Sequence, residues 1–263
     1  MKWNIFEVES KIGVAYQPKP DESDVFHLTR TLGSAEAILS SLMFRWDEKP
    51  DRSLVFDDGS FCEWHVAVGT AQGDLRGLAV SKNGQKFPLV AELKVMPYQK
   101  GTGKLSKGAT HSSLLKAVKQ GIVGMDHALH SCAREWREWY KYNDRSYDLG
   151  YIALIADKWN LSSEKAKAAL SEALEVGEKS ALEAANKYHD ELCGKEQLKQ
   201  KSPSEARDSI NEYEFLRGLK GIQFIVIEIS RFKHDGKCMV GTRTLASEKV
   251  SAASWGKTVT RSR

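Results

Sequence analysis

The feature that most restricts the fold is a set of three apolar runs, spaced so closely that they must pair with one another. Phe61–Thr70, Asp74–Ser81 and Phe87–Met96 are rich in Val, Leu, Ala and aromatic residues, the composition of half-buried strands. Gln72-Gly73 separates the first two runs and Asn83-Gly84 separates the second and third. Asn-Gly between apolar runs is a strong local hairpin signal, because both residues accept the positive φ of tight turns. The expected arrangement is an antiparallel three-strand meander.

Around the meander the periodicity changes to that of helices. Ser34 reads as the N-cap of a helix through Glu36, Ile38, Leu39 and Leu42 to about Trp46. Apolar residues recur at helical spacing from about Ser112 to Tyr140, at Leu114, Leu115, Val118, Ile122, Met125 and Leu129. A strand over Leu149–Ala156 follows. Ser162 to about Gln200 is rich in Ala, Glu and Lys and predicts a long amphipathic helix, or a helical pair broken near Gly177. A further helix is expected over Ser204–Leu219, then a near-continuous apolar strand over Ile222–Phe232, which Lys237–Leu245 pairs with around Asp235-Gly236. This order predicts an α/β fold: a central mixed β-sheet with an antiparallel meander, flanked by helices on both faces. At 263 residues the chain reads as a single domain over 1–263. The helices of 157–219 form a possible subdomain inserted in it, and 251–263 a basic flexible tail.

Composition narrows the function classes. No apolar run is long enough for a transmembrane helix, and the start Met1-Lys2-Trp3-Asn4-Ile5 lacks the pattern of a secretory signal. Cys62, Cys132, Cys193 and Cys238 are scattered, as expected of reduced thiols in a cytoplasmic protein. The net charge of +4 is small, but its distribution is uneven. Between Glu92 and Asp126 there is no acid, while Lys94, Lys100, Lys104, Lys107, Lys116 and Lys119 all fall there. Anionic ligands are the natural partners of such a stretch.

The strand Phe87-Pro-Leu-Val-Ala-Glu-Leu-Lys-Val95 carries the chemistry. Alternation puts Leu89, Ala91, Leu93 and Val95 on one face and Val90, Glu92 and Lys94 on the other. A glutamate on an apolar strand is costly to bury unless something offsets its charge, and a bound cation would do so. If the hairpin turn holds three residues, Asn83, Gly84 and Gln85, then Arg76 faces Glu92 and Asp74 faces Lys94. All four polar side chains then share a face. A two-residue turn would send Asp74 through the sheet, because a slip of one residue inverts a strand.

Asp74, then Glu92-x-Lys94 beyond a hairpin, resembles the signature of the PD-(D/E)xK nuclease superfamily, the restriction-endonuclease-like fold. Gly73 stands where that family often has a proline. The similarity of motif and element order spans about Ser34 to Ala156. The resemblance implies Mg²⁺ (or Mn²⁺) held by Asp74 and Glu92, with Lys94 beside the phosphate, and hydrolysis of a DNA backbone. The expected activity is that of an endonuclease of restriction or phage-defence type on double-stranded DNA, and cutting both strands suits a homodimer. Hard oxygen ligands suit Mg²⁺, which polarises phosphate and activates water. The same resemblance makes Glu36 a further candidate metal ligand and Gln120 an accessory catalytic residue, although Gly124 occupies the place of the tyrosine found one turn later in the exonuclease branch. Lys100, Lys104, Lys107, Lys116 and Lys119 are the candidate DNA contacts.

Other signals carry less. Lys100-Gly-Thr-Gly-Lys104 is not a nucleotide loop, since Tyr98 replaces its first glycine and Leu105 its Ser or Thr. Glu63 is a weak additional ligand, and His111, His127 and His130 read as surface residues. The alternative function is a non-catalytic DNA- or protein-binding module on the same fold.

Overall fold

The computed structural model describes residues 4–8, 61–67, 74–94, 108–131, 149–156, 159, 161–199, 212–216, 218–234, 237–252 and 258–260. Their elements are β1 (Asn4–Val8), β2 (Phe61–Ala67), β3 (Leu75–Val80), β4 (Lys86–Lys94), α1 (Ala109–Ser131), β5 (Leu149–Ala156), α2 (Ser163–Lys199), β6 (Glu212–Glu214), β7 (Gly221–His234), β8 (Lys237–Ser251) and β9 (Thr258–Thr260). The protein is α/β. A seven-stranded mixed sheet runs in the order β1-β8-β7-β5-β4-β3-β2, and β6 and β9 form a separate pair.

The meander predicted from the sequence is present as β2, β3 and β4, antiparallel to one another. From β4 the chain crosses through α1 to β5, which lies parallel to β4, and β7 is parallel to β5. A parallel neighbour requires a crossover of this kind. β4, β5 and β7 therefore form a parallel centre with antiparallel flanks. Parallel strands are normally covered on both faces, and their side chains here are buried on both. On one face Val90, Ile152, Leu154, Phe224 and Val226 share a core with Val118, Ile122 and Met125 of α1 and Ala166, Leu170 and Ala173 of α2. On the other, Leu89, Ala91, Leu93, Ala153 and Ile155 are buried as well. Among the described residues both helices lie on the same face. The helix expected over Ser34–Trp46 lies outside the described residues.

The β3–β4 turn decides the register. Gly84 N donates to Ser81 O at 2.8 Å, Ser81 N donates to Gln85 O at 2.8 Å, and Gly84 has φ 78°. This is a three-residue turn with glycine in the left-handed position. Its length is odd, as the shared face of Asp74 and Glu92 requires, but it is centred on Asn83 rather than Gly84. Every pairing is therefore displaced by two residues from the expected one: Arg76 lies opposite Val90, not Glu92.

Of the two alternatives for Ser162–Gln200 the single long helix is present, and one other helical expectation is corrected. α2 runs unbroken through Gly177, because that glycine is a packing feature: a Cβ added there would lie 2.6 Å from Val118 Cγ1 of α1. Tertiary contact outweighs the roughly 1 kcal/mol that glycine costs a helix interior. The helix expected to reach Leu219 is absent over its described end, where Glu212–Glu214 pairs with Thr258–Thr260 and Phe215 and Leu216 form a turn. Leu216 adopts φ 59°, uncommon for a branched residue; the Asp126 carboxylate holds it there, accepting from Leu216 N at 2.7 Å. Thr258–Thr260 belongs to the stretch expected as a solvated tail. No helix among the described residues is long and apolar enough to cross a membrane.

Candidate metal centre

Strand alternation and turn length together bring Asp74 to Glu92. Asp74 immediately precedes β3, and its N–H donates to Ala91 O at 2.9 Å. Its carboxylate Oδ2 accepts from Leu93 N at 2.7 Å, so the side chain substitutes for a backbone acceptor along β4. Both carboxylates are buried, Glu92 completely. Lys94 joins them: its Nζ is 2.9 Å from Glu92 Oε2 and 3.9 Å from Asp74 Oδ2. The three residues of the sequence motif therefore form one cluster, although not in the pairing first expected.

The cluster is short of positive charge, with two carboxylates against one ammonium. Burial, followed by the neighbouring Asp74 charge, pushes the Glu92 carboxyl up to about 8, and the charge of Lys94 opposes this only in part. Glu92 Oε1 is buried and has no hydrogen-bond partner. A buried acceptor left unmatched costs about 1–3 kcal/mol, a cost that a proton or a bound cation would offset. Among the described residues no three His, Cys, Asp or Glu side chains cluster. Two carboxylates, completed by water and a phosphate oxygen, are nonetheless an ordinary complement for Mg²⁺. The residues present fit such an ion.

Helix α1 closes one side of the centre. A Cβ placed on Gly121 would lie 2.5 Å from Ile152 Cγ2 and 3.7 Å from Glu92 Cγ. The missing side chain therefore lets the helix backbone lie directly over Glu92. Gln120, its neighbour, is half-buried, and its Oε1 is a second buried acceptor with no partner. Lys116, one turn earlier, is exposed, and Lys119 is half-buried. Glu36, Lys100, Lys104 and Lys107 lie outside the described residues. The centre sits at the carboxyl ends of the parallel strands, with Lys94 level with Ala156 on β5 and Glu228 on β7. Open α/β sheets bind ligands at that edge.

Three buried polar groups escaped the sequence reading. His127 is not a surface residue: it is buried, and its Nδ1 lies 2.9 Å from Arg76 Nη2. Asp126 holds Leu216 as described, and Glu228 is buried on β7. The available signal was the one that exposed Glu92, a lone charged residue within an apolar run. His111 is exposed, with Nδ1 3.8 Å from Glu172 Oε2. No family model, no curated protein and no solved structure matches the chain.

Proposed function

We propose that the protein is a metal-dependent deoxyribonuclease that hydrolyses phosphodiester bonds of double-stranded DNA, with Asp74 and Glu92 holding Mg²⁺ or Mn²⁺. The observation that carries this reading is the buried, cation-deficient pair Asp74–Glu92 with Lys94 2.9 Å from Glu92. Element order supports it as well, since a meander, a helix and a strand parallel to the last meander strand follow one another around the motif.

Each residue type suits its task. Asp74 and Glu92 would hold a divalent ion whose chemistry would be to polarise the phosphate and lower the pKa of a bound water. Asp74 is held in orientation by Leu93 N, so its ligand geometry is set in advance. Lys94 brings an ammonium to the edge of the carboxylate pair, where negative charge builds on the phosphate during attack. Lys116 is exposed on α1. With Lys119 and the basic stretch of Lys100, Lys104 and Lys107, it supplies sequence-independent contacts to backbone phosphates. Two copies of the chain would serve to cut both strands.

The test is plasmid cleavage with Mg²⁺ or Mn²⁺ by the full chain and by Glu92→Ala and Lys94→Ala. The expected result is metal-dependent nicking or linearisation, reduced on the order of 10²–10³-fold by either change. Equal cutting by all three proteins removes these residues from the reaction. Metal-independent, salt-sensitive binding without cleavage would leave a DNA-binding module.

A further inference from the structure

We infer that Arg76 and His127 form a buried clamp that sets helix α1 in register with the Asp74–Glu92 edge, which makes them positioning residues for the centre. The inference rests on the metal-site reading above for its purpose, but not for its geometry. Arg76 is 4% exposed and His127 is 9% exposed. Arg76 Nη2 lies 2.9 Å from His127 Nδ1. A guanidinium has only donors, so Nδ1 must be the acceptor and the ring proton resides on Nε2. The contact thus fixes a tautomer as well as a distance.

Both ends of the clamp share a face with groups of the centre. On the strand side, residues two apart point the same way, so Arg76 follows Asp74 on the helix-covered face. Across the ladder it opposes Val90, which makes Glu92 its diagonal neighbour. On the helix side, His127 lies seven residues after Gln120. That is close to two full turns, or about 10 Å along the axis, so the two residues share a face. A single directional contact therefore ties the strand face bearing Asp74 and Glu92 to the helix face bearing Gln120 and Lys116.

Apolar packing cannot do this alone. Val118, Ile122 and Met125 hold α1 against the sheet, but the hydrophobic effect has no direction and tolerates a slide or a rotation. A buried charged hydrogen bond does not, because its strength depends on distance and angle and moving the helix breaks the Arg76–His127 bond.

The test uses the full chain, Mn²⁺ binding followed by electron paramagnetic resonance, and amide hydrogen exchange across α1. Arg76→Met and His127→Leu remove the contact, whereas His127→Gln retains an acceptor. Arg243→Met is the control, since it breaks another arginine contact, the part-buried one with Glu228. The first two are expected to weaken Mn²⁺ binding about 10–100-fold, as loss of groups that orient ligands does, and to speed exchange in 121–129. His127→Gln should stay close to the unmodified protein. Arg243→Met should lower stability and leave Mn²⁺ affinity unchanged. Unmodified Mn²⁺ affinity in folded His127→Leu overturns the clamp, as does an equal loss of affinity in Arg243→Met. Where His127→Leu fails to fold, Arg76→Lys decides: it keeps the charge but shortens the reach, so intermediate affinity supports the clamp and unchanged affinity overturns it. If the unmodified protein binds no Mn²⁺, the metal reading fails. The clamp is then judged on hydrogen exchange, and unchanged protection of α1 in the variants rejects it.

Discussion

Glu92 on β4 and Glu228 on β7 are buried on the same face of one sheet, two strands apart, and their surroundings differ sharply. Both oxygens of Glu228 have donors. Arg243 reaches Oε1 through Nη2 at 2.7 Å and Nε at 3.2 Å, and Trp159 N donates to Oε2 at 3.0 Å. The Trp159 indole donates to Ile227 O, one residue away on the same strand. Glu92 has one ammonium, faces a second carboxylate and keeps an oxygen without a donor. A carboxylate that only holds the fold is matched from within the chain. Glu92 is left short of positive charge by the chain itself, which is the feature on which the proposed metal site rests.

The contrast can be broken most decisively by exchanging the damage. Glu92→Ala should abolish metal-dependent cleavage, a loss on the order of 10²–10³-fold or more, with little loss of stability in metal-free urea unfolding. Glu228→Ala should do the reverse. It removes the acceptor that Arg243 and Trp159 N share and should lower stability by a few kcal/mol, on the order of the cost of breaking a partly buried pair, while Mn²⁺ affinity of the folded fraction stays near that of the unmodified protein. Equal stability losses for the two variants would erase the distinction.

Next in size is pH dependence. The folded protein holds the Glu92 proton up to about pH 8, whereas the unfolded chain releases it near 4.5. Between those values the folded state binds more protons, so metal-free stability should fall as pH rises and level off above about 8. The total change should be several kcal/mol. Glu92→Gln should flatten this profile. Mn²⁺ should raise the melting temperature more at pH 8 than at pH 5.5, since at the lower pH it must displace the proton. A metal-free profile that is flat over this range would put Glu92 in the same class as Glu228.

Smaller effects sharpen the geometry. Gly121→Ala should destabilise by about 1–3 kcal/mol through overpacking, because its Cβ would meet Ile152 at 2.5 Å, and it should also weaken Mn²⁺ binding by lifting α1 from Glu92. Unchanged unfolding of that variant would mean that α1 does not lie so close. Smallest is Lys116→Ala, which should reduce the salt dependence of DNA binding by about one unit of log–log slope without changing metal affinity. An unchanged slope would remove Lys116 from the DNA path.

Much of the fold was legible because it follows from local pattern. The meander, the strand Leu149–Ala156 and the antiparallel pair β7–β8 were all readable from apolar runs and their punctuation. Asp74, Glu92 and Lys94 were readable because charges on an apolar strand demand an explanation. The failures came where long-range contact outweighs local preference. Gly177 left one helix or two open in the sequence, and its contact with Val118 belongs to a single helix. The segment ending at Leu219 reads as helix, yet Asp126 captures Leu216 from 90 residues away. His127 reads as a surface residue, yet Arg76 reaches it from β3.

From its sequence alone the chain determines the meander, the central strands and the two long helices, and that one strand must carry a glutamate and a lysine on a single face, because side-chain period is set by backbone geometry. Only the tertiary structure decided which carboxylates meet. A turn centred one residue earlier displaced every β3–β4 pairing by two while preserving its face, and Arg76 was thereby redirected from Glu92 to the helix above. Partners separated by tens of residues are chosen by packing and by the need to satisfy buried charge, and neither leaves a periodic trace along the chain.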